Sequence, residues 1–234
     1  MKALVLASGG VDSTTCLALA VQQYGAENVL ALSLFYGQKH YKELQAAQQV
    51  AAYYQTQHLQ LDLSDIFKFG DNALLANSAQ EIPKTSYADQ LEQQNGPVNT
   101  YVPFRNGLFI SAAASIAIAQ DCSLLYYGAH RDDAAGAAYP DCSEEFQQAM
   151  AEAIWQGSGG QLRLEAPFIQ DTKAGVVARG LALQVPYQLT WSCYVGQELP
   201  CGLCGTCRDR LAAFHQNGVD DPLIYPQAEQ EENK

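Results

Sequence analysis

Four cysteines toward the C-terminal end, Cys193, Cys201, Cys204 and Cys207, have seven, two and two residues between successive members. Four thiolates complete a tetrahedral zinc shell, and Gly202 and Gly205 permit the tight turns that aim the sulfurs inward. With no ligand position left open, such a zinc is structural and ties its segment to the rest of the chain. The two overlapping Cys-x-x-Cys pairs also admit a redox reading, which leaves Cys193 unexplained. The other chemistry-bearing stretch is Ser8-Gly9-Gly10-Val11-Asp12-Ser13. Two glycines let backbone approach an anion closely, two serines add hydroxyl donors, and the N–H groups of a following helix suit phosphate or pyrophosphate. The stretch lacks the lysine of a Walker A loop and the spacing of the dinucleotide fingerprint, so neither an ordinary nucleoside-triphosphatase nor a dehydrogenase is supported.

A loop of this kind needs a strand before it and a helix after it. Leu4 to Ala7 is a compact apolar run, Ser8-Gly9-Gly10 breaks it, and Thr14 to Tyr24 carries helical apolar spacing up to Gly25. Strands at Val29 to Phe35 and His58 to Leu63 flank a helix over about Tyr41 to Tyr54. A helix at Gly107 to Gln120, a strand at Ser123 to Gly128, a helix at Glu144 to Trp155, a strand at Leu162 to Ala166 and a helix over about Thr172 to Leu183 follow. This alternation predicts an α/β fold with a doubly wound parallel sheet, whose ligands bind at the C-terminal strand edge. The expected organisation is an α/β domain over 1–185, interrupted by a polar insertion at about 64–100 that lies near the site as a lid, a zinc-binding segment over 186–227 packed on it, and a frayed tail over 228–234.

Of 234 residues, 48% are hydrophobic and 16% charged, a globular balance, and no apolar run is long enough to span a bilayer. The net charge of −12 argues against phosphate-backbone binding, and Arg105, Arg131, Arg163, Arg179, Arg208 and Arg210 are scattered. Seven cysteines without an export signal predict a reducing cytoplasm and a metal in place of disulfides.

The Ser8–Ser13 loop resembles the pyrophosphate-binding loop of the ATP pyrophosphatases (PP-loop enzymes), which split ATP into AMP and pyrophosphate by adenylating a substrate oxygen. Tyr36-Gly37-Gln38, Val102-Pro103-Phe104-Arg105-Asn106, Tyr139-Pro140-Asp141-Cys142, Thr190-Trp191-Ser192-Cys193-Tyr194, the Cys201–Cys207 run and Asp221-Pro222 narrow the likeness. Taken together and in order, they resemble the 7-cyano-7-deazaguanine synthases of the queuosine pathway over nearly the whole chain. The resemblance implies a small-molecule reaction in which 7-carboxy-7-deazaguanine, ammonia and ATP with Mg²⁺ give a nitrile through an adenylated acid and then an adenylated amide. It also implies a homodimer.

Carried over by motif, Ser8, Gly9, Gly10, Val11, Asp12 and Ser13 hold the leaving pyrophosphate, Arg105 and Asn106 lie beside substrate and phosphates, and Lys173 reaches an ATP phosphate. Tyr139 and either Asp133 or Asp141 face the guanine-like edge, although each acid is equally read as a helix N-cap or loop solvator. Cys142 is read as packing or substrate contact, Cys16 and Cys122 as core, and His130 as a substrate-contact candidate at the ligand edge. Phe104 and Ser143 depart from the residues many relatives carry there, Gly and Arg, and the 128–139 loop is longer than in some members. Two competing readings remain open: a PP-loop enzyme that adenylates another acid or a tRNA base, as the sulfurtransferases do, and a non-enzymatic zinc- and nucleotide-binding module.

Overall fold

The computed structural model describes residues 2–93 and 96–226. Five strands form one parallel sheet in the order β3-β2-β1-β4-β5: β1 (Ala3–Leu6), β2 (Val29–Phe35), β3 (Gln57–Asp62), β4 (Leu124–Tyr126) and β5 (Arg163–Glu165). Side chains alternate across a strand, so β1 sends Leu4 to one core and Ala3 and Val5 to the other. The first core packs α5 (Arg105–Ala119) and α7 (Glu144–Gly157) through Ile110, Ala113, Ala117 and Ile154. The second packs α1 (Val11–Tyr24), α2 (Lys42–Tyr53) and α8 (Lys173–Ala182) through Cys16, Leu17, Val50 and Val176. Both faces are therefore covered, as the continuous apolar runs of β1 and β2 require. The expected doubly wound sheet is present, and chain order reverses between β1 and β4, which opens the cleft there.

Helix α1 begins at Val11, three residues earlier than its apolar spacing suggests, so Val11 to Ser13 form its first turn. Gly10 is its N-cap and supplies no side-chain bond, which leaves the first-turn N–H groups to other acceptors.

The insertion is more built than the polar sequence suggests. It carries α3 (Ser64–Phe67) and α4 (Tyr87–Gln93), and Ala73, Leu74 and Leu75 are buried, the two leucines against Tyr36 and Val102. The Asn72 amide donates to the carbonyls of Asn99 (3.1 Å) and Tyr101 (2.7 Å), tying both ends of the insertion together. A flap free to open is thus the wrong description for 72–75. The predicted fraying of 228–234 lies outside the described residues.

Helix α6 (Arg131–Ala134) follows β4, and α9 (Gly205–Gln216) follows the cysteine loop. The C-terminal segment shares a core with α1 and α8, made by Val11, Ala18, Val177, Ala213 and Phe214. Its anchor is Arg210, 1% exposed, whose guanidinium clasps Asp221 through Nε (2.6 Å) and Nη2 (2.9 Å) and also donates to Thr190 Oγ1 (2.7 Å). Among the described residues no helix is long and apolar enough to cross a membrane.

Candidate active site and metal centre

A cavity of about 240 Å³ lies at the C-terminal ends of β1, β2 and β4. Its floor is the loop after β1. Ser8 N–H donates to Ser13 Oγ (3.1 Å), the two hydroxyls are 3.0 Å apart, and Trp191 N–H donates to the Gly9 carbonyl (2.9 Å). These bonds fix the loop before any ligand arrives. Gly9 has φ +82°, and a Cβ there would sit 2.4 Å from the Glu43 carbonyl and 2.5 Å from the Ala47 nitrogen, both backbone of α2. Gly128, after β4, has the same kind of constraint: a Cβ would lie 2.9 Å from the Asp12 carbonyl carbon. Only glycine lets the β4 end close over the first turn of α1.

Of the six loop residues, Ser8, Gly10, Val11, Asp12 and Ser13 line the cavity. The Val11 side chain is fully buried in the α1–α8–α9 core, so only its backbone is available to a ligand. Gly9 serves by letting the loop pack on α2.

Lys173, at the start of α8, points its ammonium at Asp12, and its own N–H donates to Asp132 Oδ2 (2.7 Å). The Asp12 carboxyl is desolvated, yet Lys173 and His130 hold it below its ordinary value. Opposite them, Arg105 Nη1 donates to the Tyr36 hydroxyl (3.0 Å). Burial works against the Arg105 charge, but the surrounding Tyr36, Tyr194, Tyr139 and Glu43 more than offset it. The cavity therefore presents two cations, Lys173 and Arg105, beside the open first turn of a helix, a combination suited to a polyphosphate.

Asn106 and Asp141 are joined, and this corrects the placement of Asp141. Its carboxylate accepts the Asn106 N–H (2.9 Å) and lies 3.4 Å from the Asn106 amide nitrogen, which is 3.3 Å from the Asp141 carbonyl. Asp141 is 4% exposed and does not line the cavity; it satisfies the first turn of α5 and orients Asn106, the helix-end alternative read from the sequence. Asp133 and Tyr139 do line it. The Tyr139 hydroxyl is fixed to Thr100 Oγ1 (2.5 Å), and its ring stands edge-on to Tyr87. Cys142 also lines the cavity and receives the Asn106 amide (3.2 Å); burial pushes its thiol well above the ordinary value, which favours contact over nucleophilic attack.

The two sequence departures have structural roles. Ser143 caps α7, accepting the Phe146 N–H at 3.1 Å. Phe104 occupies a left-handed position, φ 56°, at the start of α5 and rests its exposed ring edge-on against Phe146. Glycine adopts such a positive φ without steric cost.

Sequence reasoning missed Glu43, Thr206 and Asp209, all of which line the cavity. Glu43 lies in the first turn of α2, where burial pushes its carboxyl up to about 7 against the pull of Arg105. Thr206 and Asp209 come from α9, one turn apart. No local spacing announces them, because the fold brings the C-terminal helix to the N-terminal loop. Tyr36, Trp191 and Tyr194 also reach the cavity; each lies in a motif stretch, which was the available signal.

The sulfurs of Cys193, Cys201, Cys204 and Cys207 all lie within 4.8 Å of one another, with Cys193, Cys204 and Cys207 buried. Cys201 N–H donates to Cys193 Sγ (3.3 Å), and the N–H groups of Leu203 and Cys204 approach Cys201 Sγ at 3.4 Å. Backbone donors aimed at sulfur favour thiolates, so the residues present fit a tetrahedral metal.

The model of the queuosine biosynthesis protein QueC family matches residues 2–218. The 7-cyano-7-deazaguanine synthase of Archaeoglobus fulgidus is 41% identical over 225 residues, covering 96% of this chain and 90% of that protein. The enzyme of the same name from Caldicellulosiruptor bescii is 40% identical, covering 96% and 97%. Among solved structures, NMN synthetase from Francisella tularensis superposes with a TM-score of 0.53 at 14% identity over 94% of this chain and 78% of its own. U34-tRNA thiolase NcsA from Methanococcus maripaludis does so with 0.52 at 16%, over 93% and 66%. These two show a shared fold. The family match over nearly the full length, together with close relatives of one name, shows that this chain belongs to the QueC family of queuosine biosynthesis proteins.

Proposed function

We propose that this protein is an ATP-dependent nitrile synthase, converting 7-carboxy-7-deazaguanine and ammonia to 7-cyano-7-deazaguanine. The observation that carries the reading is the convergence of the Ser8–Ser13 loop, Arg105, Asn106 and Lys173 on one cavity, where reactants can be held in proximity. A carboxylate is a poor electrophile, and adenylation turns its oxygen into a leaving group. Ammonia then gives the amide, whose oxygen needs a second adenylation before AMP can depart and leave the nitrile.

In this reading the first turn of α1 and the Ser8 and Ser13 hydroxyls bind the departing pyrophosphate. Mg²⁺ bound with ATP would supply charge compensation for the pyrophosphate. Lys173 leaves Asp12 for a phosphate oxygen, and Arg105 steadies charge building on the adenylate. Asn106, oriented by Asp141, lies beside the substrate carboxyl, and Asp133 and Tyr139 contact the deazaguanine. The four cysteines hold zinc, whose contribution is the fixed position of α9 and hence of Thr206 and Asp209. Following its family, the enzyme works in the cytoplasm as a homodimer on small molecules, without direct contact to nucleic acid.

The test is mass spectrometry of purified protein incubated with 7-carboxy-7-deazaguanine, ammonium and Mg·ATP. The expected product is the nitrile with AMP. AMP and pyrophosphate without nitrile would assign a different acid, and no AMP at all would remove the enzymatic reading.

A further inference from the structure

His130 is 3% exposed and lines the cavity, and among the described residues neither of its ring nitrogens has a hydrogen-bond partner. A buried imidazole without partners is costly, and its persistence in a reaction cavity points to an atom of the reacting molecules as the missing partner. The backbone holds it there: His130 is the extended N-cap residue of α6, and its carbonyl accepts the Asp133 N–H (3.2 Å). Its Nε2 lies 3.4 Å from Asp133 Oδ2 and 3.7 Å from Asp12 Oδ1, too far for good hydrogen bonds and close enough to stabilise an imidazolium.

We propose that His130 is a catalytic residue of this site, the base that takes the protons leaving the ammonia nitrogen. The proposal rests on the nitrile-synthase reading above. Ammonia carries three protons and the nitrile nitrogen none, so all must leave. In the first round nitrogen attacks the adenylated carboxyl carbon, the C–N bond forms, the C–O bond to AMP breaks, and one proton passes to Nε2. In the second round the amide oxygen displaces pyrophosphate from ATP. The nitrogen then gives up its two remaining protons, its freed electron pairs complete the triple bond, and the C–O bond to AMP breaks. Between transfers, His130 returns each proton to solvent by way of Asp133, whose side chain is 29% exposed. Burial raises the Asp133 carboxyl, against the pull of His130 and Lys173, which suits it to that passage. The charged groups facing His130 are Asp12 from α1, Asp133 from α6, Lys173 from α8 and Asp209 from α9.

The experiment separates activation from nitrogen chemistry. Exchange of labelled pyrophosphate into ATP, dependent on 7-carboxy-7-deazaguanine, reports the first adenylation; nitrile formation reports the rest. His130→Gln should keep exchange within a few-fold and lower nitrile formation by at least about 100-fold, both from the acid with ammonium and from the amide supplied in its place, since protons leave nitrogen in both rounds. His130→Asn, measured beside it, keeps the proposal open to test if the glutamine variant does not fold. A folded variant that matches wild-type turnover, or one that loses exchange and turnover equally, overturns the proposal. Absence of exchange in the wild type would overturn the nitrile-synthase reading itself.

Discussion

Gly9 packs directly on the backbone of α2, so even one added methyl group should displace the loop after β1. Gly9→Ala puts a methyl group 2.4 Å from the Glu43 carbonyl, where ordinary contact begins at 3.4 Å. The obstructing atoms belong to helix backbone, so no side chain can rotate away, and the loop must move by about 1 Å. A left-handed φ costs alanine about 1–2 kcal/mol, and overpacking adds about 1–3 kcal/mol. A shift of that size in a positioning element lowers turnover by on the order of 100-fold. The control is Gly218→Ala, which has a similar φ of +70° with nothing within 4 Å of the new Cβ. It should bear only the conformational cost and keep full activity. Urea denaturation and ATP-dependent turnover on both variants check this. Equal losses in the two, or wild-type turnover in Gly9→Ala, would refute the argument that α2 dictates the loop position.

Three other outcomes follow from the same geometry. Asp12→Asn should stay folded, at a cost on the order of 2 kcal/mol from the unpaired Lys173, and lose at least about 100-fold in activity, whereas Cys204→Ala should lose its metal and melt far lower; metal analysis with calorimetry separates them. Asp221→Asn leaves Arg210 buried without its counter-charge and should destabilise by about 3–5 kcal/mol in urea melts, with the cavity residues in place. Glu43 has a folded value of about 7 above an ordinary 4.5, so it binds its proton more tightly when folded. Its contribution to stability is full below about 4.5 and is lost as pH rises to about 7, and Glu43→Gln should flatten that part of the stability profile.

What could be read from the sequence was what is local in the chain. The strand-turn-helix around Ser8 to Ser13 and the cysteine spacing are short-range patterns, and the structure reproduces both. Helix α9 escaped because it lacks a clear apolar stripe: Cys207 faces the other three cysteines, Arg210 is buried as an ion pair, and Thr206 and Asp209 face the cavity. The insertion was legible at about 64–100 but its internal order was not, since the polar Asn72 side chain ties it to the carbonyls of Asn99 and Tyr101. Asp141 shows the limit of motif reasoning. The motif places the residue at the ligand edge, but only coordinates show its carboxylate committed to the backbone of α5. Glu43, Thr206 and Asp209 come to one cavity through long-range packing, which no window along the chain contains.

One cavity serving both adenylations should show in the nucleotide count. AMP should be measured per nitrile with 7-carboxy-7-deazaguanine as substrate, and again with the synthetic amide supplied in its place. The expected result is two AMP per nitrile from the acid and one from the amide. One AMP per nitrile from the acid, or an amide that is not converted, would contradict it.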